Sequence, residues 1–160
     1  LDILLPKMTT VYTSTATGSP VALYESDDSG VSLPMAVLMD KTTKGAPEMF
    51  ALAVRDGGKG RTVGEATFGK GTLQEERKLR DGSAVILTTA VFSGPGGATY
   101  DITGVPVDYE VKLGLDDEGR ANALGMFDLD AQYRKAQEVV AAAVRAAEAA
   151  ANSASSSSAP

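Results

Sequence analysis

Two glycine-rich segments hold the residues that could do chemistry: Thr43-Lys-Gly-Ala-Pro-Glu48 and Gly64-Glu-Ala-Thr-Phe-Gly-Lys-Gly-Thr-Leu-Gln74. The chain contains no histidine and no cysteine. A Ser-His-Asp triad, a thiol nucleophile, a disulfide and a zinc-cysteine site are therefore ruled out within it. Any general base must be a lysine or a carboxylate whose pKa its surroundings have shifted. Lys70, between Gly69 and Gly71, is the candidate. Gly64-x-x-x-x-Gly69-Lys70 nearly spells a phosphate-binding loop. That loop needs Ser or Thr directly after the lysine and a helix facing the phosphate, whereas Gly71 and a strand follow here. On base rates alone, a surface lysine in a glycine-rich turn is the commoner reading of Lys70. The acidic pairs and triplets, Asp27-Asp28 and Asp116-Asp117-Glu118, lack the ligand spacing of a calcium loop and read as solvated turns. No metal and no cofactor is expected.

The elements that must position these segments follow from patterning. Thr10–Thr13 and Val21–Tyr24 flank a Thr17-Gly-Ser-Pro20 turn and read as a hairpin. Leu33–Met39 is a continuous apolar run, which predicts a strand covered on both faces. Ala46–Arg55 predicts a helix, with Pro47 and Glu48 suited to its first turn and Asp56–Gly60 ending it. Arg61–Gly64 returns to the sheet. Leu73–Leu79 and Ser83–Phe92 flank Asp81-Gly82, a strong hairpin signal, and Val105–Val111 is a last extended stretch. Leu129–Ala151 is Ala-rich and helix-forming, with Leu129, Tyr133, Val140 and Val144 near one side, suited to packing on the domain or extending outward. The Ser-rich 152–160 composition points to disorder. The expected fold is α/β, a mixed α+β layer on one buried sheet, with the first strand–loop–helix junction where open α/β sheets place their sites. Three parts are expected: a domain over 1–113, an acidic linker and Ala-rich helix over 114–151, and a disordered Ser-rich tail over 152–160.

Composition narrows the function classes. Net charge is −6 with no basic block, so a nucleic-acid partner is not expected. No apolar run reaches the roughly 18 residues of a membrane span. The chain begins at Leu1, not Met, so the lack of a signal peptide carries no information about compartment.

In order and spacing, the two glycine-rich segments together with Asp81-Gly-Ser-Ala84, Leu87-Thr-Thr-Ala90 and Gly104-Val-Pro-Val-Asp108 resemble the tail-specific (C-terminal processing) serine peptidases. The resemblance covers roughly Leu1 to Val111, the C-terminal part of that family's peptidase domain. In the family, a strand leads to a loop reading Thr-Ala-Ser-Ala-Ser-Glu, then a helix, then Phe-Gly-Lys-Gly and a nearby Gln. By this resemblance the catalytic lysine falls on Lys70 and its supporting polar residue on Gln74. The nucleophilic serine falls on Gly45, and the residue whose amide helps bind the oxyanion falls on Ala46. Lys44 and Pro47 depart from the family pattern as well.

The family's chemistry gives that departure its meaning. A serine hydroxyl needs a base, and with no histidine a lysine made neutral by burial takes its proton. Glycine has no atom with which to attack, so the resemblance implies an inactive homologue unless another hydroxyl substitutes. Thr42 and Thr43 sit two and three positions early, and attack geometry tolerates an error of only about 1 Å. The family's segment for a second oxyanion donor and its usual PDZ domain are not seen and would lie upstream. The partner implied is a polypeptide substrate or peptide C-terminus, bound through main-chain hydrogen bonds that need no nucleophile. An extracytoplasmic location (cell envelope, periplasm or secreted) is implied in the same way. Two alternatives stand beside the inactive homologue: an active peptidase using another hydroxyl, and a purely structural module.

Overall fold

The computed structural model describes residues 1–27, 29–31, 33–112 and 130–156. The acidic triplet 116–118 and Leu129 lie outside the described residues. The fold class is the expected α/β mixture, but its strands divide between two sheets where one was anticipated.

The first sheet is antiparallel, in the order β2-β1-β6-β5. Strands β1 (Met8–Ser14) and β2 (Val21–Ser26) form the hairpin that the Gly-Ser-Pro turn predicts. Strands β5 (Thr72–Lys78) and β6 (Ala84–Ser93) form the second, around Asp81-Gly82. Asp81 Oδ1 accepts from the Ser83 amide at 3.0 Å and from its hydroxyl at 2.7 Å, which closes the turn. Pairing of Tyr12 with Ser93 joins the two hairpins, a contact between distant stretches that local patterning does not reveal.

The second sheet is parallel, in the order β3-β4-β7. Strand β3 (Met35–Met39) pairs with β4 (Gly60–Gly64) in register from Met35 opposite Gly60 to Met39 opposite Gly64. The crossover between them is α1 (Ala46–Asp56). Among the described residues β3 has only β4 as a strand neighbour, and Leu38 is 45% exposed. The apolar run was thus a guide to a strand but not to burial on both faces. The last extended stretch shrinks to β7 (Tyr109–Glu110). Pro106 has no amide to give a ladder, and the Asp108 amide is shared between the Thr62 hydroxyl at 2.9 Å and the Thr62 carbonyl at 3.2 Å.

The second helix, α2 (Ala131–Ser156), starts on an Asp130 cap whose Oδ1 accepts from the Gln132 and Tyr133 amides at 2.8 and 3.1 Å. It packs on β3 and β4 through its first turns, with Tyr133, Ala136 and Val140 beside Ala36 and Leu38. Its later turns are exposed, so the helix both packs and extends outward. It also runs through Asn152 to Ser156, where composition pointed to disorder: once nucleated, an Ala-rich helix propagates into adjoining small residues at little cost.

The core that holds the site is Met39, Ala51, Leu52, Tyr100 and Val105, with Val37, Met49, Phe92 and Val107 against it. It is built from β3, α1, β6 and the 100–107 segment, so it ties the two sheets together. Truncation of Leu52, 3% exposed at its centre, therefore tests the arrangement. Leu52→Ala is expected to lower unfolding free energy by about 2–5 kcal/mol, read from urea denaturation.

Candidate active site

The two glycine-rich segments leave the carboxyl ends of adjacent parallel strands, since Met39 and Gly64 are register partners. One connection runs from β3 to α1, the other from β4 to β5. Open α/β sheets place their sites at such ends.

The first connection is shaped by Asp40. Its Oδ1 accepts from the Thr42 amide (2.8 Å) and hydroxyl (2.7 Å) and from the Thr43 amide (3.0 Å) and hydroxyl (3.3 Å). Burial would raise the Asp40 pKa, but these donors prevail and hold it below the ordinary aspartate value. Gly45 then ends the loop as the N-cap of α1, at φ 74° and ψ −126°. That positive φ strains any residue with a Cβ, although a Cβ built there would meet nothing within 4 Å.

The amides of the first turn are almost all spoken for. Pro47 has none, and those of Glu48 and Met49 donate to the Gly45 carbonyl at 3.0 and 3.2 Å. Among the described residues Ala46 N–H has no acceptor, as one of the donors that a helix start cannot pair internally.

Glu48 joins this helix start to the second connection. Its side chain is fully buried. Oε1 accepts from the Gly69 amide (2.6 Å) and the Thr67 hydroxyl (2.5 Å), and Oε2 from the Lys70 and Gly45 amides (both 2.8 Å). Burial pushes its pKa up, yet the four donors outweigh it and hold the pKa below that of an ordinary glutamate. Thr67 in turn accepts the Val105 amide at 2.7 Å. The Phe68 amide donates to the Thr43 carbonyl at 2.9 Å, a second tie between the two connections. Gly69 has φ 91°, and a Cβ there would lie 2.8 Å from the Ile102 carbonyl carbon, so only glycine fits against the 100–104 segment.

Gly45, Ala46 and Lys70 line one cavity of about 430 Å³, together with Lys44, Met49, Thr72, Phe92 and Tyr100. The structure thus brings three of the four sequence-derived positions together. Gln74 stands apart, exposed on β5 opposite Thr88, just past an irregularity in the β5–β6 register. Lys70 is exposed as well, so the burial anticipated for a lysine base is not present. Sequence reasoning assigned nothing to Thr72 or Tyr100. Tyr100 lies some thirty residues from the lysine and no motif marks it; packing alone brings it to the cavity wall.

The sequence model of peptidase family S41 matches residues 1–111. The chain is 35% identical over 108 residues to the chloroplastic C-terminal processing peptidase of Tetradesmus obliquus, covering 64% of this chain and 23% of that protein. It is 29% identical over 140 residues to the carboxyl-terminal-processing protease of Synechocystis sp., covering 88% of this chain and 32% of that one. Among solved structures, a photosystem II D1 C-terminal processing protease superposes with a TM-score of 0.66 at 32% identity, over 78% of this chain and 33% of that chain. The chain therefore spans about a quarter to a third of these relatives.

The Glu48 network has a measurable consequence. An amide cannot accept from four donors as a carboxylate does, so Glu48→Gln is expected to cost about 3 kcal/mol in urea unfolding at neutral pH. Because the folded pKa lies below the unfolded one, the Glu48 contribution is complete above the ordinary glutamate range near about 4.3. It is lost as pH falls through the lowered folded value. The acid limb of the stability–pH curve should accordingly be shallower in Glu48→Gln than in the parent protein.

Proposed function

The chain belongs to peptidase family S41, and from that premise we propose a C-terminal-processing peptidase homologue whose site holds polypeptide but does not cut it. The observation that carries this reading is Gly45. It stands at the start of α1, on the same cavity as Lys70, and offers no hydroxyl. Covalent acyl transfer needs a nucleophilic atom within about 3–3.5 Å of the carbonyl carbon.

The neighbouring hydroxyls support the same reading. Those of Thr42 and Thr43 both donate to Asp40, and neither residue lines the cavity. In this proposal Lys70 occupies the base position without a proton to take, Gln74 the position that supported it, and Ala46 retains its oxyanion-type amide. Polypeptide is the partner, as the names of the relatives suggest for those proteins. A site outside the cytoplasm or in an organelle lumen is proposed on the chloroplastic designation of the first relative. Among the described residues, no helix is long and apolar enough to cross a membrane.

Thr72, which shares the cavity with Lys70, is the hydroxyl that could overturn this. The full-length protein is expected to show no peptide cleavage and no fluorophosphonate labelling. Gly45→Ser should introduce labelling, at a rate held down by the strained φ and the exposed lysine. Cleavage by the parent protein that disappears in Thr72→Val would establish an active peptidase instead.

A further inference from the structure

The hairpin of β5 and β6 runs past the rest of its sheet. Strand β1 pairs with β6 only from Val91 to Ser93, while β5 follows β6 back to Ala84. N-terminal to Val91, the β6 edge turned away from β5 has no strand beside it among the described residues. From Ala84 to Thr88 every residue is exposed, with Val85 at 39%, Ile86 at 68% and Leu87 at 49%. A two-stranded arm of this kind is marginal in water by itself. Its unpaired amides and carbonyls are also a template for another strand.

The other edges of this sheet are guarded, and this one is not. Strand β5 carries Glu75-Glu76-Arg77-Lys78 along the opposite edge. Strand β2, at the far side, follows Pro20, carries Glu25 near its end and pairs irregularly with β1. Charges, proline and irregular register are the usual defences of an exposed edge. Ala84-Val-Ile-Leu-Thr88 has no charge and no proline, and its register with β5 is regular.

The same stretch is complementary to itself. A two-fold axis normal to a sheet pairs strands antiparallel. Because side chains alternate between faces, that axis must set one residue opposite its own copy. With the axis at Ile86, the centre of the exposed stretch, Ile86 meets Ile86, Val85 meets Leu87 and Ala84 meets Thr88. No apolar side chain then faces a charged one. A cleft of about 180 Å³ between Thr15-Ala16 and Thr88–Val91 leaves room for the incoming Ala84. A two-fold placed anywhere in Glu75–Lys78 would instead set a charge against itself, which disfavours pairing through β5.

We infer that the β6 edge from Ala84 to Thr88 is a homodimerisation surface, on which a second copy of this chain adds antiparallel about Ile86 to give a continuous β5-β6-β6-β5 arm. Such pairing is isologous and closes, and both outer edges are then charged β5 strands, so growth stops at the dimer. Both strands of the arm leave the cavity that holds Lys70, which Thr72 and Phe92 help to line. The dimer therefore joins two candidate sites through one sheet.

Sedimentation of the full-length protein from low to high micromolar concentration provides the test, since so small an interface makes a transient dimer. The mass is expected to double across that range. Ile86→Lys and Ile86→Glu each set like charges against one another at the axis, so each should weaken dimerisation about 10-fold or more. Mixed in equal amounts, the two variants should recover the dimer, because lysine then faces glutamate. Ile86 is exposed in the monomer, so circular dichroism and the urea midpoint at low concentration should match those of the parent protein. A parent protein that stays monomeric at every concentration overturns the inference, as it would if another segment or another protein covered this edge. So does a dimer untouched by both variants, whose contact lies elsewhere. Loss of the dimer in each variant without recovery in the mixture overturns the pairing about Ile86 on which the inference stands.

Discussion

A single buried carboxylate holds the site together. Glu48 is removed from water with no cation at hydrogen-bonding distance among the described residues, an arrangement that costs several kcal/mol per ion unless donors replace the lost hydration. Three backbone amides and one hydroxyl do so. Because those donors come from Gly45, Thr67, Gly69 and Lys70, satisfying the charge forces the start of α1 and the β4–β5 connection into contact. The lysine contributes its amide to this network, leaving its side chain free to face the cavity. Thr67 extends the network to Val105, so the same charge also anchors the segment that follows Tyr100.

The same arrangement fixes the shape of the helix start through backbone groups and carboxylates. None of the interactions that position the helix start depends on a side chain at residue 45. The cap is made by the Glu48 carboxylate on the Gly45 amide, and the preceding turn by Asp40 on Thr42 and Thr43. A glycine relieves the strain of a positive φ there, which stabilises the loop. Ile102 carries comparable backbone strain at φ 70°, with its amide bonded to the Gly69 carbonyl, so distortion concentrates where the 100–104 segment meets the glycine-rich loop.

The local elements were legible for local reasons. Asp81-Gly82 marks a turn because Gly82 takes a positive φ of 88° that few other residues adopt, and Thr17–Pro20 because Pro20 has a fixed φ and no amide for a ladder; both hairpins formed there. Pro47 and Glu48 marked the first turn of a helix that begins at Ala46, as expected. The division of strands into two sheets was not legible, since the β1–β6 pairing joins residues some eighty apart and leaves no periodic trace. The edge position of β3 escaped notice for a related reason: an apolar run reports that a strand wants cover but not what supplies it. Composition misjudged the end of α2, because Ser after an established helix need only tolerate the next turn, not nucleate one.

By itself, then, the sequence settled the inventory of reactive atoms. Without histidine or cysteine, and with glycine at position 45, the available chemistry reduces to lysines, carboxylates, hydroxyls and amides, and no folding can add to that list. Tertiary structure decided which of those atoms meet and which face water. It buried Glu48 among four donors, left the Lys70 side chain exposed, set Gln74 away from the cavity, and brought Tyr100 to its wall with no acceptor for its hydroxyl. The physical reason is that bonding capacity belongs to each residue, whereas desolvation and hydrogen-bond pairing belong to contacts between segments far apart in the chain.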